Sequence, residues 1–238
     1  MCTLSWTPLP GGYALAMNRD ERRTRARGLP PTPTLVRNVR ALMPTDPEAG
    51  GTWVSVNQHG MSMALLNRYE ESPQDPGGTF TSRGLLIREL GWMERPEEVE
   101  GELRSRPLQR FRPFTLAGLA RGGMPHLFDW DGHQLTRSVV ADPGLVRASS
   151  GSHQLEAEGA RGALFRTASG EPGGLTAATL ERLHRSHQPV RGPVSICMHR
   201  EEAMTVSLSL ITVIKKKISI FYVDGPPGET AGGLPQSL

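Results

Sequence analysis

Cys2 is the residue of this 238-residue chain best placed to do chemistry. Removal of Met1 makes it the amino-terminal residue, with its own α-amine in reach of its thiol. A thiol titrates near ~8.5 and an α-amine near ~7.7–8.0, so at neutral pH the thiol is mostly protonated while the amine is substantially free to accept its proton. Nucleophile and base then share one residue. Methionine aminopeptidases act when the second residue is small, and cysteine qualifies. The position alone leaves another account open, in which Cys2 is a small strand residue beside the start of the chain.

The other candidate ligands and nucleophiles are scattered. Cys2 and Cys197 are the only cysteines, and neither belongs to a Cys-x-x-Cys pair. His184 and His187 lie three apart on a predicted helix and Cys197 precedes His199 by two, but neither pair has a third ligand at a diagnostic spacing, so no metal or other cofactor is expected. With at most one disulfide and no charged stretch leading into a long apolar one at the start, the expected location is cytoplasmic. The longest apolar run, Val206 to Ile214, alternates and is too short to span a bilayer, so no membrane anchor is expected. Hydrophobic residues at 37% and charged residues at 21% describe a globular chain with ample length for a core. The net charge of +3 is almost all arginine, and seven arginines fall between Arg19 and Arg40. No aromatic residues interleave with them, so a solvated basic loop is expected there rather than a nucleic-acid site.

The elements that would position Cys2 start with a hairpin, Thr3 to Thr7 and Tyr13 to Met17, joined by Pro8-Leu9-Pro10-Gly11-Gly12. The Pro- and Arg-rich stretch that follows to Glu48 reads as irregular, with one short strand near Leu35 to Val36. A second hairpin, Thr52 to Asn57 and Met61 to Asn67, turns at His59-Gly60. Helices are predicted over Ser82 to Met93, with Ser82 as N-cap, and over Pro96 to Leu103. Phe114 to Ala120, His126 to Trp130 and Gln134 to Val139 form an antiparallel meander broken at Gly122-Gly123 and Asp131-Gly132. Two further helices, His153 to Phe165 and Thr176 to His187, precede strands at Val194 to His199, Thr205 to Ile214 and Ile218 to Val223. From Gly225 the composition predicts a disordered tail. The order predicts an α+β protein with antiparallel sheets covered by helices, one domain over residues 1–224, and it accommodates a four-layer α-β-β-α sandwich.

Three motifs in order, with Cys at position 2, together resemble a known family. Met1-Cys2-Thr3-Leu4, the hairpin end Asn18-Arg19-Asp20-Glu21, and Gly50-Gly51-Thr52-Trp53 with Leu65-Leu66-Asn67-Arg68-Tyr69 are similar to the NRDE family, also called the transport and Golgi organisation protein 2 family. The resemblance is specific to about Tyr69, extends through Ser82-Arg83-Gly84, and fades until Cys197-Met198-His199. It implies the N-terminal-nucleophile hydrolase fold, an α-β-β-α sandwich of two antiparallel sheets.

The resemblance also implies roles, those of cysteine amidases such as the cholylglycine and penicillin V enzymes. Cys2 would attack an amide carbonyl, Arg19 would favour the thiolate, and Asp20 would hold the terminal ammonium. Asn67 would donate to the oxyanion, with Asn18, Trp53 and Ser150 as supporting or substrate-binding residues. Blander accounts stay open: an ion pair between Arg19 and Asp20, turn roles for Asn18 and Asn67, a core role for Trp53. Gly151 stands where the family has an auxiliary asparagine and Val206 where it has an arginine; Ser150 and Arg200 are candidate substitutes. The function implied is a cysteine amidohydrolase acting on a small-molecule amide through an acyl-enzyme. The alternative is a non-catalytic haem or acyl-lipid trafficking protein on the same fold. Selectivity is expected from the loops Arg22 to Met43 and Glu70 to Phe80.

Overall fold

A computed structural model describes residues 2–69 and 80–238 of the protein; most of the Glu70 to Phe80 loop therefore lies outside the described residues. Two antiparallel sheets stack face to face, each covered by helices on its outer side. The first has the order β10-β1-β2-β11-β12-β13, formed by Gly144–Ser149, Cys2–Leu9, Gly12–Arg22, Ala203–Ile214, Lys217–Asp224 and Leu234–Ser237. The second runs β3 to β9 in sequence order, through Leu29–Val36, Val39–Thr45, Val54–Asn57, Ser62–Asn67, Phe114–Leu119, His126–Trp130 and Leu135–Val139. Helices α1 (Gly84–Leu90) and α2 (Pro96–Arg104) pack on the second sheet through Leu86, Ile87, Leu90, Val99 and Leu103. Helices α3 (Gln154–Gly170) and α4 (Ala177–Arg185) pack on the first through Phe165, Ala168, Leu180 and Leu183. This is the α-β-β-α sandwich, with α+β composition as the element order predicts.

The alternation of β1 decides which side faces which layer. Cys2, Leu4 and Trp6 join the core between the sheets, with Leu15 and Met17 of β2 and Val54, Val56 and Leu66 opposite. Thr3, Ser5 and Thr7 face the helices, buried but bonded. Thr3 Oγ1 accepts from Arg161 Nη1 at 2.8 Å, Ser5 Oγ meets His184 Nε2 at 2.7 Å, and Thr7 Oγ1 donates to the Leu175 carbonyl at 3.0 Å. His184 is held from its other side, Nδ1 to Asn18 Oδ1 at 3.0 Å, while Asn18 Nδ2 donates to the His184 and Ile196 carbonyls. Asn18 Oδ1 can only accept, so Nδ1 carries the proton and Nε2 accepts from Ser5.

Several elements differ from the sequence expectation. The stretch expected to be irregular forms the hairpin β3–β4, closed by Arg37 and Asn38 at φ 46° and 67°, the two-residue turn geometry that matches strand twist. Prolines 30, 31 and 33 mask β3, yet it is an edge strand, where a missing N–H is tolerated. The tail expected to be disordered carries β13, paired to β12 and strapped down by Arg185, which donates to the carbonyls of Pro227, Thr230 and Gly232. Val194 to His199 forms turns and bends rather than a strand, apart from one bridge between His199 and Met204. β10 has no counterpart in the sequence reading; it is paired to β1. Helix α1 starts at Gly84 with no side-chain cap, so Ser82 is not its N-cap.

Two motif segments turn out to be one contact. The Thr52 amide donates to the Gly84 carbonyl at 3.1 Å, and a Cβ on Gly51 would come within 2.7 Å of the Gly84 backbone. A Cβ on Gly84 would meet the Thr52 carbonyl at 2.7 Å. Alanine at Gly84 therefore forces backbone apart and is expected to cost about 1–3 kcal/mol. Alanine at Gly101, in α2 with nothing within 4 Å of its Cβ, is expected to raise stability slightly. Paired thermal melts check this, and an unshifted midpoint for Gly84→Ala would contradict the close approach.

The His184 clamp sets a pH dependence. Burial pushes its imidazole down from 6.5 to about 3, with Arg161 adding to the fall. The unfolded chain then takes up a proton near pH 6.5 that the folded protein refuses, so stability is fully present above that pH and is lost as pH falls toward about 3. From pH 7 to pH 5 the wild type is expected to lose ~2 kcal/mol more than His184→Gln does, measured by urea unfolding at both pH values.

Candidate active site

Strand register brings the N-terminal motif residues to one end of the sandwich. Cys2 pairs with Arg19 of β2 on one side and with Ser149 of β10 on the other. Cross-strand partners share a face, so Cys2 and Arg19 both point between the sheets. There they border a cavity of about 640 Å³ whose walls also include Asp20, Trp53, Asn67, Tyr69 and Arg83. Asn67 closes the second sheet's β6, and Ser149 Oγ donates to its carbonyl, tying that strand end to the neighbour of Cys2. Asn67 Nδ2 donates to Tyr69 Oη at 3.0 Å, which uses one of its two N–H groups.

Arg19 and Asp20 do not pair with each other, because adjacent residues of a strand face opposite ways. The Arg19 guanidinium stacks 4.4 Å from the Trp53 ring centroid and donates to Glu21 Oε2 and Asp46 Oδ2 at 3.2 and 3.3 Å. Arg25 joins them with a 2.7 Å contact to Asp46 Oδ2. Burial alone would raise the Asp46 carboxyl, but its hydrogen bond from Arg25 and the charges of Arg25 and Arg19 hold it below the usual range. Asp20 Oδ1 accepts from Thr205 Oγ1 at 2.6 Å, and that oxygen in turn accepts from the Met198 amide. Burial pushes the Asp20 carboxyl up, against the charge of Arg161 and the Thr205 bond.

Burial also pushes the Cys2 thiol up, and Asp20 adds to the rise; the positive amino terminus and Arg19 oppose it. Desolvation thus outweighs the guanidinium, and Cys2 rests as a thiol rather than the thiolate expected from Arg19 alone. A base is required for it to react. Both cysteines are free and buried.

Two of the three expected supporting residues, Asn18 and Ser150, lie elsewhere. Asn18 turns away from the cavity and fastens β2 to α4. Ser150 is buried behind it, receiving Arg200 Nη2 on both its carbonyl and its hydroxyl, at 2.6 and 2.8 Å, so Arg200 does reach in but toward Ser150. Val206 is the extra residue of a β-bulge between Thr205, opposite Asp20, and Ser207, opposite Arg19. Gly151 sits at φ 58°, a left-handed turn into α3 that glycine and asparagine both adopt.

Other residues carry no sequence signal. Arg161 is fully buried in α3 and donates to Thr3 Oγ1 and to the Val194 and Pro193 carbonyls, supplying the positive charge behind Asp20. Asp46 belongs to a loop whose composition is unremarkable, whereas Arg83 lies in the Ser82-Arg83-Gly84 motif without a role read for it. His187, paired with His184 in the sequence reading, is instead gathered with Cys197 and His199 at one place away from the cavity. Among the described residues no helix is long and apolar enough to cross a membrane.

Three of the solved structures to which the chain is similar are the following. The Caenorhabditis elegans ortholog of N-acylethanolamine-hydrolyzing acid amidase superposes with a TM-score of 0.59 at 12% identity, over 89% of this chain and 92% of that one. The C2A mutant of conjugated bile acid hydrolase from Clostridium perfringens gives 0.56 at 12%, over 100% and 96%. Penicillin V acylase from Agrobacterium tumefaciens gives 0.55 at 11%, over 94% and 83%. The fold is that of the N-terminal-nucleophile hydrolases. No curated protein matches in sequence. Residues 1–131 do match the family described as Transport and Golgi organisation 2, and with more than half of its length so matched the protein belongs to that family.

Proposed function

We propose that the protein is a cysteine N-terminal-nucleophile hydrolase that cleaves the C–N bond of a small-molecule amide after loss of Met1. The observation that carries this is the position of Cys2, opposite Arg19 at the cavity wall, with Asp20 one step beyond its partner and Asn67 on the facing sheet. The names of the structural neighbours, an acylase, a conjugated bile acid hydrolase and an amidase, point the same way.

The chemistry follows from these groups. Sγ attacks the carbonyl carbon as its proton passes to the α-amine of Cys2. The second N–H of Asn67 Nδ2 meets the developing oxyanion. Collapse breaks the C–N bond, and the departing amine takes its proton from the α-ammonium, leaving a thioester on Cys2. Water, deprotonated by the same amine, attacks the thioester; the S–C bond breaks, releasing the acid and restoring the thiol. Asp20, braced by Thr205, keeps the α-amino group oriented throughout. The cavity is walled by charged side chains, Arg19, Arg25, Asp46, Arg83 and Arg112 among them, which suits a polar amide better than an acyl chain or the face of a haem.

Intact mass of the purified protein is expected to lack one methionine; a retained Met1 blocks the α-amine and sinks the hydrolase reading. An electrophilic amide probe is expected to label wild type and Cys197→Ala but not Cys2→Ala. Asn67→Ala is expected to keep probe binding and lower the acylation rate by ~10²–10³-fold. If the probe labels nothing while haem or a fatty acyl thioester binds wild type and Cys2→Ala equally, the trafficking reading replaces this one.

A further inference from the structure

The segment after α4 carries ligating side chains toward one point. His187 Nε2 and His199 Nε2 lie 2.9 Å apart, and Cys197 Sγ is 3.9 Å from His199 Nε2. All three ligand atoms fall within 4.8 Å of one another, and Glu229 Oε1 stands 3.9 Å from the same His199 nitrogen. The backbone fixes these positions: the Cys197 amide donates to Ser186 at 2.9 Å and the His199 amide to Gly192 at 3.1 Å. The turn that bears Glu229 is pressed close, since a Cβ on Gly228 would come within 2.6 Å of the His187 ring.

A proton accounts for one of these contacts only. Shared between the two Nε2 atoms, it leaves the sulfur and the carboxylate converging on the same nitrogen. We infer that His187, Cys197 and His199 form a binding site for a divalent cation of the zinc class. Thiolate and imidazole donors favour zinc and its neighbours over magnesium or calcium. Tetrahedral zinc with bonds of about 2.0–2.1 Å to nitrogen and 2.3 Å to sulfur needs N···N near ~3.3 Å and S···N near ~3.6 Å. The two separations above each lie within about 0.4 Å of that geometry. Cys197 releases its thiol proton to solvent on binding. His199 must carry its other proton on Nδ1, so the 3.4 Å contact from Arg191 Nη2 to that atom gives way.

Three protein ligands hold the cation, and the fourth tetrahedral position is open beside the turn that bears Glu229. The cation fastens His187, just past α4, to the far side of the loop whose Pro193 and Val194 carbonyls receive Arg161. The site is separate from the cavity and does not rest on the proposed hydrolysis.

Chelator-treated protein titrated with Co²⁺ is expected to bind one equivalent and develop a thiolate-to-cobalt charge-transfer band that Zn²⁺ bleaches. With only two cysteines the sulfur is assignable: the band persists in Cys2→Ala and is lost in Cys197→Ser. His187→Ala, at a part-exposed position, is expected to keep the wild-type circular dichroism and bind Co²⁺ more than ~10-fold more weakly. No band in wild type, a band lost in Cys2→Ala, or unchanged affinity in a folded His187→Ala overturns the assignment.

Discussion

The register of β1 against β2 is the constraint from which the rest of the structure follows. A slip of one residue would turn Leu4 and Trp6 toward the helices and push Thr3, Ser5 and Thr7 into the core between the sheets. Each buried hydroxyl then left without a partner costs about 1–3 kcal/mol, so the correct pairing is heavily favoured. Cys2 is the last residue of that ladder. Its direction is therefore set by the packing of a whole strand and not by any contact of its own.

Behind the strand lies a set of buried polar side chains. Arg161, His184, Asp20 and Thr205 are all buried, linked through Thr3, Ser5, Asn18 and the Met198 amide. In such surroundings an unpaired charge is costly, and the positive Arg161 and the carboxyl of Asp20 offset each other. The same dryness keeps Cys2 protonated. The nucleophile and the acid beside it are governed by desolvation first and by neighbouring charge second.

Elements with strong local periodicity were legible in the sequence: the first hairpin, the Val54 to Asn67 hairpin, the meander and the four helices, within a few residues. Where the reading failed, tertiary pairing had overridden local preference. Prolines argued against β3 and β13, but each is an edge strand whose partner supplies the pairing. Val194 to His199 alternates like a strand, yet its carbonyls are taken by Asn18 and Arg161 instead of a ladder. Cys2, Arg19, Asp20, Trp53 and Asn67 meet at one cavity because each ends or flanks a strand at the same edge of the sandwich. Strand alternation turns Asn18 toward α4, and Arg200 holds Ser150, so neither side chain lines the cavity. Arg161, in mid-helix, offered nothing to read until α3 was laid against β1.

The prolines of the edge strands have an effect beyond hiding them. Pro31 and Pro33 sit at alternate positions of β3, so their nitrogens share one side of the strand, and Pro235 occupies the middle of β13. An open strand edge is a template on which another chain can add itself, and proline removes the donors that such growth requires. Both sheets thus end, at β3 and at β13, in strands that are poor templates for a second copy. Among the described residues, two of the sheet borders therefore lack some of the N–H groups on which a further strand would be built.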